Sequence, residues 1–361
     1  MHRVETYLDE PADIPVIDFR QLNGTQNERS VAFKYLDDAF QSLGFIYLSN
    51  HSIPQKLIDE AFEWSRRFFA LPHDVKKRIA HPPSGAVNDY LGFLEIGQVL
   101  VSQLVWDTAE LEELRKTTPE RHEGLELCNP HDLQVDVGRN LWLPEDIFPG
   151  FRSFYDSWWD ACTRLDHQLL ENISELLKLG SPKYLSNQHT CDFCHMSFNY
   201  FPSMEVGPLK SREVHRMNAH TDFQQLTIVF NDSIGGLEIH DGEAFRPVIP
   251  KQGKIIVDVG DILDRQTNGR SKSALHQVVA PRESMIGNRK DSVPLAAGSV
   301  VDRYSLAFFG MPDPEFIIET LPGCEAKGKW AQNMVGEWGQ TVTTDEWLAK
   351  RVSTEFPAEA S

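Results

Sequence analysis

The sequence predicts a mainly β protein framed by helical segments at both ends, and three observations carry that prediction. From about residue 195 the chain breaks into short apolar runs separated by Gly, Pro, Asn and Asp, the texture of a many-stranded sandwich or barrel. Ahead of that point, long stretches with apolar residues at helical spacing alternate with short strand candidates. After it, residues 331–351 read as a helical tail. A length of 361 residues allows one large domain or two ordinary ones. No internal repeat or low-complexity block divides the chain, so one unit is expected. Within it, 1–190 form a helical leader with the first strands, 191–325 the β core that carries the chemistry, and 326–361 a helical cap.

Taken in order, 14–19 is a short apolar strand candidate that follows turn-forming Pro11 and Asp13. A helix is expected over 27–43, with Val31, Phe33, Leu36, Ala39, Phe40 and Leu43 near helical spacing and Gly44 closing it. Residues 45–48 read as a strand. Ile53 and Pro54 open a second helix that runs through Leu57, Ala61, Trp64 and Phe68 and ends at Leu71-Pro72. Residues 81–145 are rich in Pro, Gly and turn formers and yield no clear elements. A long helix is expected over 148–179, its apolar face including Phe151, Phe154, Trp158, Leu165, Leu169 and Ile173, with Gly180 and Pro182 as its stop. The strand candidates that follow are 196–201, 225–230, 236–239, 245–249, 255–259, 277–279 and 304–309.

Composition excludes several classes. At 41% hydrophobic and 24% charged residues the chain is neither disordered nor collagen-like. A net charge of -18 argues against nucleic-acid partners, which need clustered Lys and Arg, and against anionic membrane surfaces. No stretch is apolar enough to span a bilayer, and residues 1–10 mix charges where a signal peptide needs an apolar core. Five thinly spread cysteines fit reduced thiols. A soluble cytoplasmic protein is expected, with a small molecule as its partner.

The sharpest chemical signal is His220-Thr221-Asp222. Of 13 histidines, only His220 is followed by an acid two positions on. In a strand alternate residues share a face, so His220 and Asp222 would project together as one edge of a metal site. His276, on the β candidate Ala274-Leu275-His276-Gln277-Val278, supplies a third ligand. Two imidazoles and one carboxylate on one face of a metal leave the opposite positions open, as a non-haem Fe(II) oxygenase requires for co-substrate and O2. Arg303-Tyr304-Ser305 is the second signal. Its arginine heads an otherwise apolar run, and a guanidinium pointing into a barrel needs an anion to pair with. The fork of donors on Arg303, with the Ser305 hydroxyl, suits the distal carboxylate of a dicarboxylic acid.

These residues, with Leu226-Thr227-Ile228-Val229, Gly235-Gly236-Leu237-Glu238, Val259-Gly260-Asp261, Thr267-Asn268-Gly269-Arg270 and Lys272-Ser273-Ala274-Leu275-His276, resemble the iron- and 2-oxoglutarate-dependent dioxygenases of the isopenicillin-N-synthase-like family. Ile14-Pro15-Val16-Ile17-Asp18, Gly44-Phe45 with Asn50-His51, and Arg67-Phe68-Phe69-Ala70-Leu71-Pro72 are similar to the same family's leader, so the resemblance spans nearly the whole chain. It implies a double-stranded β-helix, or jelly roll, with Fe(II) on His220, Asp222 and His276. It also implies 2-oxoglutarate with its far carboxylate on Arg303 and Ser305, O2 as oxidant, and ascorbate as the reductant in vitro. Asn199 matches a position that contacts the co-substrate. Two positions later the family often carries Tyr where this chain has Phe201, so one hydroxyl contact is expected to be missing or supplied elsewhere. The carboxylate at 222 fills the place a halogenase leaves for halide, so hydroxylation, desaturation or ring rearrangement is expected. The chain's style resembles fungal and bacterial natural-product oxygenases.

Other signals compete. Cys191-Asp192-Phe193-Cys194-His195 matches a c-type haem pattern and, with His189, a zinc site, but thiols that precede a core strand also pack as small apolar groups. Trp158-Trp159 reads as one core residue and one on the helix surface. The stretch 281–302 is longer than in most plant members of the family and reads as a surface insertion or as a lid. Three alternatives stay open at this point: an iron oxidase of the same fold that needs no 2-oxoglutarate, a non-catalytic jelly-roll binder, and a zinc hydrolase.

Overall fold

The computed structural model describes residues 6–81, 91–100, 108–117, 119–131, 140–191, 193–211, 213–281, 298–326, 328, 330 and 342–352. Most of the 281–302 stretch and of the expected tail therefore lies outside the described residues. The strands are β1 (Val16–Asp18), β2 (Phe45–Ser49), β3 (Gly92–Leu94), β4 (Glu123–Cys128), β5 (His195–Phe201), β6 (Met204–Glu205), β7 (Met217–His220), β8 (Leu226–Asn231), β9 (Leu237–His240), β10 (Phe245–Pro247), β11 (Lys254–Val259), β12 (His276–Val278), β13 (Ser299–Val300) and β14 (Arg303–Gly310). An eight-stranded sheet runs β1-β2-β11-β8-β14-β5-β4-β3, a four-stranded sheet runs β10-β9-β12-β7, and β13 pairs with β6. The two larger sheets form a jelly roll with a cavity between them. Strands β1 to β4 of the larger sheet come from residues before 191.

Helices α1 (Gln26–Ser42), α2 (Gln55–Phe69) and α3 (Phe151–Leu176) join the largest apolar cluster, together with side chains of the eight-stranded sheet. Helix α1 starts at a capping box. The Thr25 side chain accepts from the Glu28 amide, and the Glu28 carboxylate accepts from the Thr25 backbone in return. On α3 both tryptophans are buried, correcting the surface expected for Trp159: Trp158 packs on Phe230 and Trp159 on Phe308, with centroids 4.8 and 5.3 Å apart. Each fully buried Phe in this layer contributes roughly 2–3 kcal/mol of transfer free energy. A second apolar cluster, with Phe45, Phe201, Leu237, Ile256 and Val278, draws on both larger sheets. A short helix, α4 (Asp261–Gln266), follows β11. A third cluster gathers Leu94, Val99, Phe223, Met311 and side chains of the last helix, α5 (Thr344–Val352). Among the described residues no helix is long and apolar enough to cross a membrane.

Candidate active site

Strands β7 and β12 pair antiparallel with His220 directly opposite His276. Their imidazoles meet with ring centroids 4.2 Å apart. The strand carrying His220 ends at that residue, so Asp222 sits in the turn beyond it and not on the strand face expected. Hydrogen bonds bring it back. The Thr227 hydroxyl donates to Asp222 Oδ2 at 2.5 Å, and the Asp261 amide donates to the Asp222 carbonyl at 2.8 Å. Asp222 Oδ1 thereby lies 3.6 Å from His220 Nε2 and 3.5 Å from His276 Nε2, and one atom from each of the three falls within 4.8 Å of the others.

The outer ring nitrogens fix what the inner ones can do. His220 Nδ1 is 2.8 Å from the Asn218 carbonyl and His276 Nδ1 is 3.3 Å from the Ala274 carbonyl. A carbonyl only accepts, so Nδ1 carries the hydrogen and Nε2 turns its lone pair to the centre. Burial, and then the neighbouring His276, hold His220 well below the ordinary histidine range, so the ring is a neutral ligand. Asp258, on β11, is pushed well above the usual carboxylate range by burial and then by the Asp222 charge. It keeps its proton and hydrogen-bonds to Asp222. Two lone pairs and a carboxylate aimed at one buried point suit a divalent cation.

At the start of β14, Arg303 is 2% exposed. Its Nη1 donates to Ser305 Oγ at 3.1 Å and its Nη2 to Asn231 Oδ1 at 2.6 Å, while Nε has no hydrogen-bond partner. Among the described residues no carboxylate closes on this guanidinium in an ion pair, and burial lowers its pKa. A buried cation with an open donor fits an incoming carboxylate. Asn199 is buried, faces the same cavity and stands opposite Ser305 in the pairing of β5 with β14. Phe201 lies under Arg303, its ring centroid 4.8 Å from the guanidinium carbon. The residue that lacks the family's hydroxyl thus contributes a cation–π contact to the anion site.

One cavity joins the triad, Arg303, Ser305, Asn199 and an apolar wall that includes Leu94, Val99, Phe223, Met311, Leu348 and Val352. Thr227, Asn231 and Asp258 belong to this site and carry no signal of their own in the sequence, although the alternation of Thr227, Val229 and Asn231 places them on one strand face. The Cys-x-x-Cys-His pattern does not converge on one point. Cys191 Sγ lies 3.0 Å from Asp313, Cys194 Sγ lies 3.9 Å from His189, and His195 lines the cavity.

A jelly roll holding two imidazoles, a carboxylate and a buried guanidinium around one cavity defines the non-haem iron oxygenases that take a dicarboxylate co-substrate. The chain belongs to the 2OG-Fe(II) oxygenase superfamily, whose description matches residues 193–312. Residues 14–144 match the non-haem dioxygenase in morphine synthesis N-terminal family. It is 40% identical over 353 residues to the 2-oxoglutarate-dependent dioxygenase lolO1 of Epichloe uncinata, covering 96% of this chain and 95% of that one. It is 33% identical to the 2-oxoglutarate-dependent dioxygenase htyE of Aspergillus rugulosus, over 88% and 92% of the two chains. Among solved structures, a full-length Neurospora crassa protein in complex with alpha-KG and thymine matches with a TM-score of 0.77 and 26% identity, covering 94% of this chain and 96% of that one. The protein is a dioxygenase that uses Fe(II), 2-oxoglutarate and O2.

Proposed function

We propose that His220, Asp222 and His276 hold the ferrous ion, that Arg303 and Ser305 with Asn231 and Asn199 seat the far carboxylate of 2-oxoglutarate, and that the substrate is a small organic molecule of a natural-product pathway. The observation that carries this reading is the meeting of the Asp222 carboxylate with two Nε2 atoms at 3.5–3.6 Å, in the cavity that Arg303 also enters. When bound, the iron supplies the coupling of 2-oxoglutarate decarboxylation to oxidation of the substrate. The chain's own residues do the rest. Asp222 and the two imidazoles would hold the metal and leave it room for further ligands. Thr227 and Asp258 hold the Asp222 carboxylate in one orientation. Arg303 fixes the co-substrate by its remote end, and the apolar wall keeps water from the reacting groups.

With a carboxylate at 222 the reaction is hydroxylation, desaturation or ring rearrangement. The fungal relatives support a natural-product role, and the five free thiols support a reducing, cytoplasmic setting. Anaerobic addition of Fe(II) and 2-oxoglutarate should produce a metal-to-ligand charge-transfer band, and Asp222→Ala should lose both the band and turnover, read as succinate release. A variant that keeps the band and the activity refutes the ligand assignment.

A further inference from the structure

Facing the triad across the cavity, strands β4 and β5 contribute a polar cluster that neither the metal nor 2-oxoglutarate uses. Glu126, His195 and Ser197 all line the cavity. Glu126 is 6% exposed. Ser197 Oγ donates to its Oε1 at 2.8 Å, and His195 Nε2 stands 2.6 Å from its Oε2. The His195 ring is itself fixed, stacked on Phe309 with centroids 5.3 Å apart and planes at 19°.

Sheet register places this cluster relative to the iron ligands. Ser197 lies opposite Glu126, His195 opposite Phe309, and Phe309 opposite Thr227, the residue bonded to Asp222. His195 is therefore two strands from Thr227 along one cross-strand row, a separation of about 10 Å. Phe309 stands in that row between them, so a small molecule that bridges the cluster and the metal would lie over its ring, under the apolar wall.

Charge decides what kind of molecule. In the loaded site the charges of a ferrous ion, Asp222, dianionic 2-oxoglutarate and Arg303 cancel. Of the acids lining the cavity, Asp258 is bonded to Asp222, while Glu126 stands apart with His195 as its ion-pair neighbour, and among the described residues no Lys or Arg pairs with it. Its two oxygens offer about four acceptor positions; Ser197 fills one on Oε1, and His195 Nε2 lies against Oε2. We infer that Glu126, oriented by His195 and Ser197, anchors the substrate, and that the substrate carries a basic nitrogen whose ammonium hydrogens fill the remaining acceptor positions. The hydrocarbon frame of such a molecule packs on Leu94, Val99, Phe223 and Met311, turned toward the iron. This inference rests on the oxygenase site proposed above.

The test titrates the anaerobic Fe(II)–2-oxoglutarate complex with cyclohexylamine, cyclohexanol and cyclohexanecarboxylate, matched in size, and follows the shift of the charge-transfer band and the heat of binding. The amine should bind at least ten-fold more tightly than the alcohol or the carboxylate. Glu126→Gln should bring amine and alcohol to equal affinity while the band itself still forms. Equal affinities in the wild-type chain, or an amine preference that survives Glu126→Gln, overturn the anchor. Failure of the wild-type chain to form the band would instead remove the oxygenase site beneath it.

Discussion

The His220, Asp222 and His276 group is assembled by hydrogen bonds that decide which atom of each side chain faces its centre. Asp222 lies beyond the end of its strand, so its orientation depends on neighbours, and the nearest is the Thr227 hydroxyl on Oδ2. Valine at 227 keeps the β-branched shape and loses only the donor. Outer partners of this kind typically account for roughly 10–100-fold in metal affinity, so Thr227→Val should raise the Kd for Fe(II) by about that factor. An iron titration of the two proteins checks it, and an unchanged Kd would mean that Asp258 and the backbone hold Asp222 without Thr227. The proposed ligands were legible because imidazole, carboxylate and guanidinium are the residue types that chemistry needs, and they stand in a telling order. Thr227, Asn231 and Asp258 were not, because alternation gives a residue's face but not which strand lies beside it. Glu126 was hidden for another reason: β4 is a six-residue strand inside the turn-rich stretch that yielded no elements.

At the level of elements, the site depends on one turn closing against another. Helix α4 follows β11 directly, and the amides at its start bind the reversal after His220: Gly260 N–H donates to the Gln225 carbonyl, Asp261 N–H to Asp222 and Ile262 N–H to Gln224. The approach is so close that a Cβ at 260 would lie 2.1 Å from the Gln224 carbonyl oxygen and 2.7 Å from its carbon. Backbone cannot yield as a flexible side chain would. Gly260→Ala should therefore lose about 3 kcal/mol of stability and bind iron more weakly, since Asp222 moves with the turn. Calorimetry checks the first effect, and a Tm indistinguishable from wild type would show that the turns can part without strain. Helix α5 braces the same reversal: Trp347 donates to the Phe223 carbonyl at 2.9 Å, and Arg351 lies 3.3 Å from Asp261 and 4.1 Å over the Phe223 ring. Where apolar spacing was regular, as in α1, α2, α3 and the core strands, the expected and observed boundaries agree to within about three residues. Periodicity failed for β3 and β4, which lie within the turn-rich stretch and pair with each other and with β5.

Across the whole molecule, the burial that keeps the cavity dry makes the fold vulnerable to acid. His122 is buried at the start of β4, with its ring 5.6 Å from that of Phe201. Burial is the larger effect and outweighs the attraction of Glu126, so its pKa falls from the ordinary 6.5 to about 4. Between those values the unfolded chain takes up a proton that the native ring refuses. Stability from this residue is therefore complete above the ordinary histidine pKa, falls as the pH drops through the window, and is spent below about pH 4. The full loss is about 3 kcal/mol. His122→Asn keeps a short donor and has no proton to gain, so its stability should fall less steeply with acid across that window. The triad histidines are common to both proteins, and the difference between the two curves isolates His122. Urea denaturation at stepped pH from about 7 to about 4 measures it, and parallel curves would mean that His122 is open enough in the native state to protonate as freely as in the unfolded chain.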